Sequence, residues 1–162
     1  MSGRITDELK ACIGREVTYS APEEIGSAAF RYFALALDDD NPIYHDANIA
    51  AHSKHGGVIA PPTLLCETNQ FFQQPLDDNG YIGHQWDLPL PSTRFIRGGN
   101  QYEFHQPVRP SDRITVTWKL LDIYERETRT FGALVFVISE ARYTNHLGDL
   151  LATNRETNIY SP

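Results

Sequence analysis

Basic charge is in short supply in this chain. Lysine and arginine together number 14 against 21 aspartates and glutamates, a formal net charge of −7. Surfaces that hold nucleic acid or anionic lipid need clustered cations, so neither nucleic acid nor a membrane is an expected partner. Cysteine is scarcer still. Cys12 and Cys66 are too few and too far apart in sequence for a disulfide framework or a zinc site, and a reducing, cytoplasmic setting is the simpler inference. No apolar run approaches the roughly 20 residues that span a bilayer, and the N-terminal stretch lacks the charged and apolar blocks of a signal peptide. What the chain does have is 41% hydrophobic residues in a length of 162. That is enough for a substantial core in a single domain over residues 1–162. No internal repeat, low-complexity tract or linker divides it.

The most informative stretch is Asp38-Asp39-Asp40-Asn41-Pro42-Ile43-Tyr44-His45-Asp46, which puts three carboxylates where a helix should end. A helix C-terminus carries partial negative charge, and anions there cost roughly a few tenths of a kcal/mol each. The helix is readable upstream, with Ser27 as N-cap and Ala28, Ala29, Phe33, Ala36 and Leu37 near the spacing of one apolar face. Asn41-Pro42 stops it, because the residue before proline is pushed out of the helical region. Asp46 then caps a second short helix over residues 47–54, closed by Gly56. In isolation the pattern is a polar turn between two helices.

Residues 6–13 read as a short helix ended by Gly14, and residues 16–19 as a short strand. Gly56-Gly57-Val58-Ile59-Ala60-Pro61-Pro62 leads into residues 63–74, where Leu64, Leu65, Thr68, Phe71 and Phe72 make a broad apolar face. Proline suits a first helical turn, which has no internal use for the amide hydrogen, and this third helix is expected to be central and buried. Pro75, Gly80, Gly83, Pro89 and Pro91 mark residues 73–91 as a long loop. The second half reads as antiparallel sheet. Residues 101–106, 114–124, 133–143 and 150–160 are rich in β-branched and aromatic side chains, and Asn145-His146-Leu147-Gly148-Asp149 is a hairpin turn. Ile114, Val116, Trp118 and Leu120 alternate with polar partners before Leu121 and Ile123 shift the phase, the mark of a bulge. Residues 133–138 are apolar on both faces, one for the central helix and one for another subunit. Helices followed by a curled antiparallel sheet give an α+β fold.

Residues 33–46, Gly57-Val58-Ile59-Ala60-Pro61-Pro62-Thr63 and Phe104-His105-Gln106-Pro107-Val108-Arg109-Pro110-Ser111-Asp112 together resemble the hot-dog-fold MaoC-like dehydratases. That family includes R-specific enoyl-CoA hydratases and fatty-acid-synthase-type 3-hydroxyacyl dehydratases. The resemblance covers nearly the whole chain and is closest to the family's N-terminal-type domain, which carries Ala-Pro-Pro-Thr at the start of the central helix. It implies a hot-dog fold, a curled sheet wrapped around a central helix. It also implies an acyl-CoA or acyl-carrier-protein thioester as ligand, with no cofactor.

Active members of that family carry Gly-Asp-x-Asn-Pro-x-His and Gly-x-x-Ala-His-Gly. Asp39, Asn41 and Pro42 match. The glycine before the aspartate is Asp38 here, the histidine is Tyr44, and Ala-His-Gly is Ala60-Pro61-Pro62. Adding water across an enoyl thioester needs a base for water, an acid for the α-carbon and donors aimed at the thioester oxygen. In the resembling enzymes an Asp–His pair holds the water and the helix-start glycine offers its N–H to that oxygen. Pro62 has no N–H, and loss of one such donor typically costs roughly 10²–10³ in rate. Tyr44, with a reference pKa near 10, is a poor base. His45 stands one residue beyond the family position, and Asp40 precedes it at the family's Asp-to-His separation, so Asp39 or Asp40 with His45 forms an alternative catalytic pair. The candidate substrate-binding residues are Asn41, Tyr44, Gly57, Ala60, Pro61 and Pro62.

Other groupings have two readings each. His52 and His55 have helical spacing but lack a closed ligand shell, so no metal is expected. Arg94, Arg97, Arg109 and Arg113 are either strand-end cations or contacts for coenzyme A phosphates and an acidic carrier. Tyr81, Trp86 and Phe95 line an acyl pocket or close the core edge. The leading reading is the substrate-binding or scaffold half of an acyl-thioester hydratase or dehydratase, paired with a catalytic MaoC-like subunit or forming a homodimer. The alternatives are a self-sufficient homomeric hydratase and a non-catalytic acyl-CoA-binding hot-dog protein.

Overall fold

Alternation in the second half of the chain becomes a three-stranded meander in the computed structural model, which describes residues 5–78, 80, 82–90 and 94–161. Strands β3 (Thr115–Thr128), β4 (Gly132–Thr144) and β5 (Leu150–Ser161) follow one another through short turns, and β1 (Glu16–Ser20) and β2 (Arg94–Phe104) complete a five-stranded antiparallel sheet in the order β1-β3-β4-β5-β2. The bulge expected near Leu121 is present as a register shift between Leu120 and Asp122. It keeps Val116, Trp118 and Leu120, and then Ile123, directed to the core. Strand β2 begins well before residue 101, because Gly98-Gly99 is a bulge inside the strand and not its boundary. A side chain at Gly98 would meet Ile159 and the Thr157 carbonyl at 3.0 Å.

The helices depart from the sequence reading in detail. α1 spans Asp7–Lys10, a single turn capped by Thr6, and Gly14 ends the following turns at φ 90°. α2 spans Ser27–Ala36 with Gly26 as its cap, so Ser27 is the first helical residue and not the N-cap. Its buried face is Phe30 and Ala34, while Leu37 is 56% exposed. The stripe is therefore rotated from the expected one, which ran through Ala36 and Leu37. α3 spans Ala47–His52 and is capped by Asp46 as expected, but it ends early where the Ser53 hydroxyl donates to the Ala50 carbonyl at 2.7 Å.

The largest correction concerns the third helix. The sheet curls over two short 3-10 stretches, Pro62–Glu67 and Asn69–Phe71, separated by extended Thr68. Buried Gln70 donates its carboxamide to the Leu65 carbonyl at 3.2 Å, and the Thr68 hydroxyl reaches the same oxygen at 3.4 Å. Side chains thus take an acceptor that a continuing α-helix would use. Leu64, Leu65 and Phe71 are buried in the main core with Trp118 and Tyr143, while Phe72 is half exposed. Among the described residues no helix is long and apolar enough to cross a membrane.

Loop residue His84 closes one end of this core. Its Nδ1 lies 3.0 Å from the Tyr19 hydroxyl, its ring stacks on Trp118 at 4.8 Å, and it meets Trp86 edge-on at 4.3 Å. Burial, with a smaller contribution from the Arg15 charge, lowers its pKa from 6.5 to about 4. The unfolded chain therefore takes up a proton that the folded chain refuses between those values. Stability from neutral His84 is complete above pH 6.5 and is lost as pH falls toward 4, by roughly 3 kcal/mol. Urea unfolding at pH 4.5 and pH 7 should show a smaller acid loss for His84→Gln than for the native chain.

Candidate functional site

The acidic turn is first of all a helix terminator. Asp38 stands at φ 55°, in the left-handed region, while the Asp38 N–H bonds the Leu35 carbonyl at 3.2 Å and the Asp39 N–H bonds the Ala34 carbonyl at 2.9 Å. This is a Schellman motif with aspartate where glycine is usual. The carboxylates that follow stitch the turn. The Asn41 N–H donates to Asp39 Oδ1 at 3.2 Å, the Ile43 N–H to Asn41 Oδ1 at 3.3 Å, and the Asn48 and Ile49 N–H groups to Asp46 Oδ1 at 2.9 and 3.0 Å. A 3-10 turn, Pro42–Tyr44, results. It turns Tyr44 inward, where it packs with Ala34 and Ile59, and leaves His45 exposed.

Arg109 fixes the opposite wall. Its guanidinium donates to the carbonyls of Gly57 at 3.1 Å, Val58 at 3.3 Å and His55. Its backbone N–H donates to Asp112 Oδ2 at 2.7 Å, and Asp112 Oδ1 accepts from Asn145 at 3.3 Å. Arg109 is therefore a clamp on protein carbonyls, which departs from both of its sequence readings, a strand-end cation and a phosphate contact. The Ala60 N–H, on the same stretch, donates to the Val108 carbonyl at 3.0 Å.

Between these walls lies a cavity of about 500 Å³. Tyr44, Ile43, Ile59, Ala60, Pro62 and Leu65 form its inner side, and Phe104 to Val108 with Lys54 and His55 form the other. The structure thus brings together Tyr44, Ala60 and Pro62 from the expected set. Asp39, Asn41 and His45 are exposed turn residues off this wall. Gly57 and Pro61 support it from behind, the first through Arg109 and the second by accepting the Leu64 N–H at 3.0 Å. Burial, and then the Asp39 charge, raise the Tyr44 pKa, so this phenol stays protonated at neutral pH.

Sequence reasoning missed Lys54, His55 and His105 as wall residues. The available signal was their place beside the motif stretches, His55 before Gly57 and His105 before Pro107. Two further expectations landed elsewhere. Trp86 and Phe95 line a separate cavity, with Trp86 also donating to Ser139 at 2.8 Å, and Tyr81 lies outside the described residues. His52 Nδ1 lies 2.7 Å from its own helix carbonyl at Asn48. Among the described residues no three metal-ligating side chains converge.

A family model described as FAS1-like, dehydratase domain region, matches residues 11–154. The chain belongs to that family. UPF0336 protein SCO4636 of Streptomyces coelicolor is 35% identical to this FAS1-like dehydratase-region chain over 108 residues, 67% of this chain and 68% of that protein. Among solved structures, the MaoC-like dehydratase from Rhodospirillum rubrum superposes with a TM-score of 0.66 at 20% identity, covering 92% of each chain. A C-terminally truncated HadBC (3R-hydroxyacyl-ACP dehydratase) complex from Mycobacterium tuberculosis is similar with a TM-score of 0.62 at 22% identity, covering 90% of this chain and 96% of that one. These likenesses establish the hot-dog fold for the FAS1-like dehydratase-region chain.

Asp38 carries a testable cost. The left-handed conformation disfavours any residue with a Cβ, and a carboxylate beside a helix C-terminus adds to that. Asp38→Gly should stabilise the fold by about 1 kcal/mol, read as a higher urea midpoint at unchanged slope.

Proposed function

We propose that this chain is the substrate-holding half of an acyl-thioester hydratase or dehydratase. It works beside a catalytic subunit that carries the intact Asp-x-Asn-Pro-x-His and Ala-His-Gly elements. The observation that carries this reading is the composition of the cavity wall. A protonated Tyr44 stands at the family's base position, Pro61-Pro62 stands where the oxyanion donor belongs, and the neighbouring Ala60 N–H is already given to Val108. A space of about 500 Å³ is retained while the groups that would run the reaction in it are absent or committed. Asp39, the matching carboxylate, closes its own turn.

The rest of the wall supports an acyl thioester as the molecule held. Ile59, Leu65 and Phe104 offer apolar surface to an acyl chain, while Lys54, His55 and His105 form a basic rim on a chain of net charge −7. Such a rim suits the phosphates of coenzyme A or of a carrier protein's prosthetic arm. A two-subunit dehydratase has a precedent of the same fold in the HadBC complex. The outer face of β4 supports assembly, since Phe136 stacks at 5.1 Å on Tyr124, which is 40% exposed. In this reading the pair forms by joining sheets, and sedimentation at micromolar concentration should show dimers, not an 18.3 kDa monomer.

The chemistry has a direct test. The purified chain alone should hydrate crotonyl-CoA at a rate indistinguishable from buffer, and addition of the catalytic partner should bring activity. Within that complex Asp39→Asn should change kcat by less than about threefold, whereas removal of a catalytic base typically costs roughly 10²–10⁴. Rapid turnover by the isolated chain, abolished by Asp39→Asn, would reject the assignment.

A further inference from the structure

The outer face of the sheet carries one apolar row that crosses four strands. Ile96 on β2 pairs with Ile159 on β5, Ile159 with Phe136 on β4, and Phe136 with Tyr124 on β3. The alternate residues Ile123, Val135 and Tyr160 pack in the core, so the row faces away from it. With strands about 4.8 Å apart, it is roughly 14 Å long. The rings of Tyr124 and Phe136 are parallel at 5.1 Å, and beside Ile96 a Cβ at Gly98 would come within 3.0 Å of the Ile159 side chain. Tyr124 is 40% and Ile96 43% exposed. Joining sheets at their edges leaves this face open.

The flanks of the row decide what fits it. Toward the β3–β4 turn the next outward residues are Arg126, Leu134, Ser161 and Arg94, and in the other direction they are Asp122, Ile138, Thr157 and Gly98. A two-fold axis lying along the row exchanges the two flanks. A second copy laid on the face about that axis has its Asp122 opposite Arg126, its Arg126 opposite Asp122, and its Arg94 opposite Gly98, where no side chain is in the way. Leu134, Ile138 and Ser161 are buried and present nothing that would hold the copies apart. Asp122 and Arg126 are exposed, and among the described residues neither is in a salt bridge within its own chain. A partner of a single charge sign would match one flank and be repelled by the other.

We propose that this outer face binds a second copy of the chain, back to back, about a two-fold axis along the Ile96, Ile159, Phe136 and Tyr124 row. The row supplies the apolar contact, as in other pairs of sheets packed face to face, and the two Arg126–Asp122 pairs fix the register. The contact adds to edge joining and does not depend on what the cavity beside Tyr44 holds. Its area is below that of a standard interface, which sets Kd on the order of 10 μM.

Charge variants at the two exposed positions test the symmetry. Asp122→Arg puts cations on both flanks, and Arg126→Asp puts carboxylates on both. In sedimentation equilibrium at about 100 μM and low ionic strength, where such pairs are least screened, each variant alone should show about half the native mass, its self-association weakened at least tenfold. An equal mixture of the two variants should regain the native mass, because each then meets a complementary flank, and the double variant should regain it as well. Edge joining is read separately from the single variants, whose mass is twice 18.3 kDa where it holds and 18.3 kDa where it does not. A mass unchanged in both single variants, or a mixture that stays at the single-variant mass, would overturn the proposal.

Discussion

The guanidinium of Arg109 is the constraint on which the candidate site rests. It gathers one stretch of loop, through the carbonyls of His55, Gly57 and Val58, and ties it to the segment that leaves β2. Charge-assisted bonds of this kind are stronger than neutral ones. Here they hold an irregular backbone that has no ladder of its own. Asp112 completes the arrangement by accepting from the Arg109 backbone and from Asn145, so the wall of the cavity is joined to the β4–β5 turn. Cavity, loop and sheet are therefore tied together, and Tyr44 lies against a wall held by these bonds.

The same frame holds the shape of the site through bonds made by the backbone and the turn. Ala60 gives its N–H to Val108, and Pro61 gives its carbonyl to Leu64. These bonds serve the backbone and are indifferent to which side chain projects into the space. Likewise the turn around Asn41 is closed by side-chain acceptors on Asp39, Asn41 and Asp46, and it tolerates tyrosine at the position where the family has histidine. The shape of the site is thus held by atoms other than those that face the cavity.

Much of this was legible in the sequence where a local rule dominates. The period-2 alternation of β3, its bulge at Leu121, the Asn145 turn and the Asp46 cap each depend on a few adjacent residues, and each was read correctly. Failures came where a distant partner decides. Residues 63–74 have an apolar face suited to a helix, but Gln70 and Thr68 compete for the Leu65 carbonyl and the segment tightens into 3-10 turns. Arg109 resembled a free cation until the loop carbonyls were seen around it. The buried stripe of α2 differs from the expected one because exposed Ala36 and Leu37 are as apolar as Phe30 and Ala34, which face the core. At the site, Tyr44, Ala60 and Pro62 of the motifs line the cavity, while Lys54 and His105 line it from segments distant from one another in sequence.

The strand order has a bearing on how the chain is made. β1 finds its partner only in β3, with Glu16 opposite Lys119 and Ser20 opposite Thr115. During synthesis the first strand must therefore wait until about a hundred further residues have emerged before its partner is available, a long loop to close. The meander from β3 to β5, by contrast, pairs neighbours in sequence and can assemble at once. The half of the molecule that is written first thus depends on the half written last for its place in the sheet.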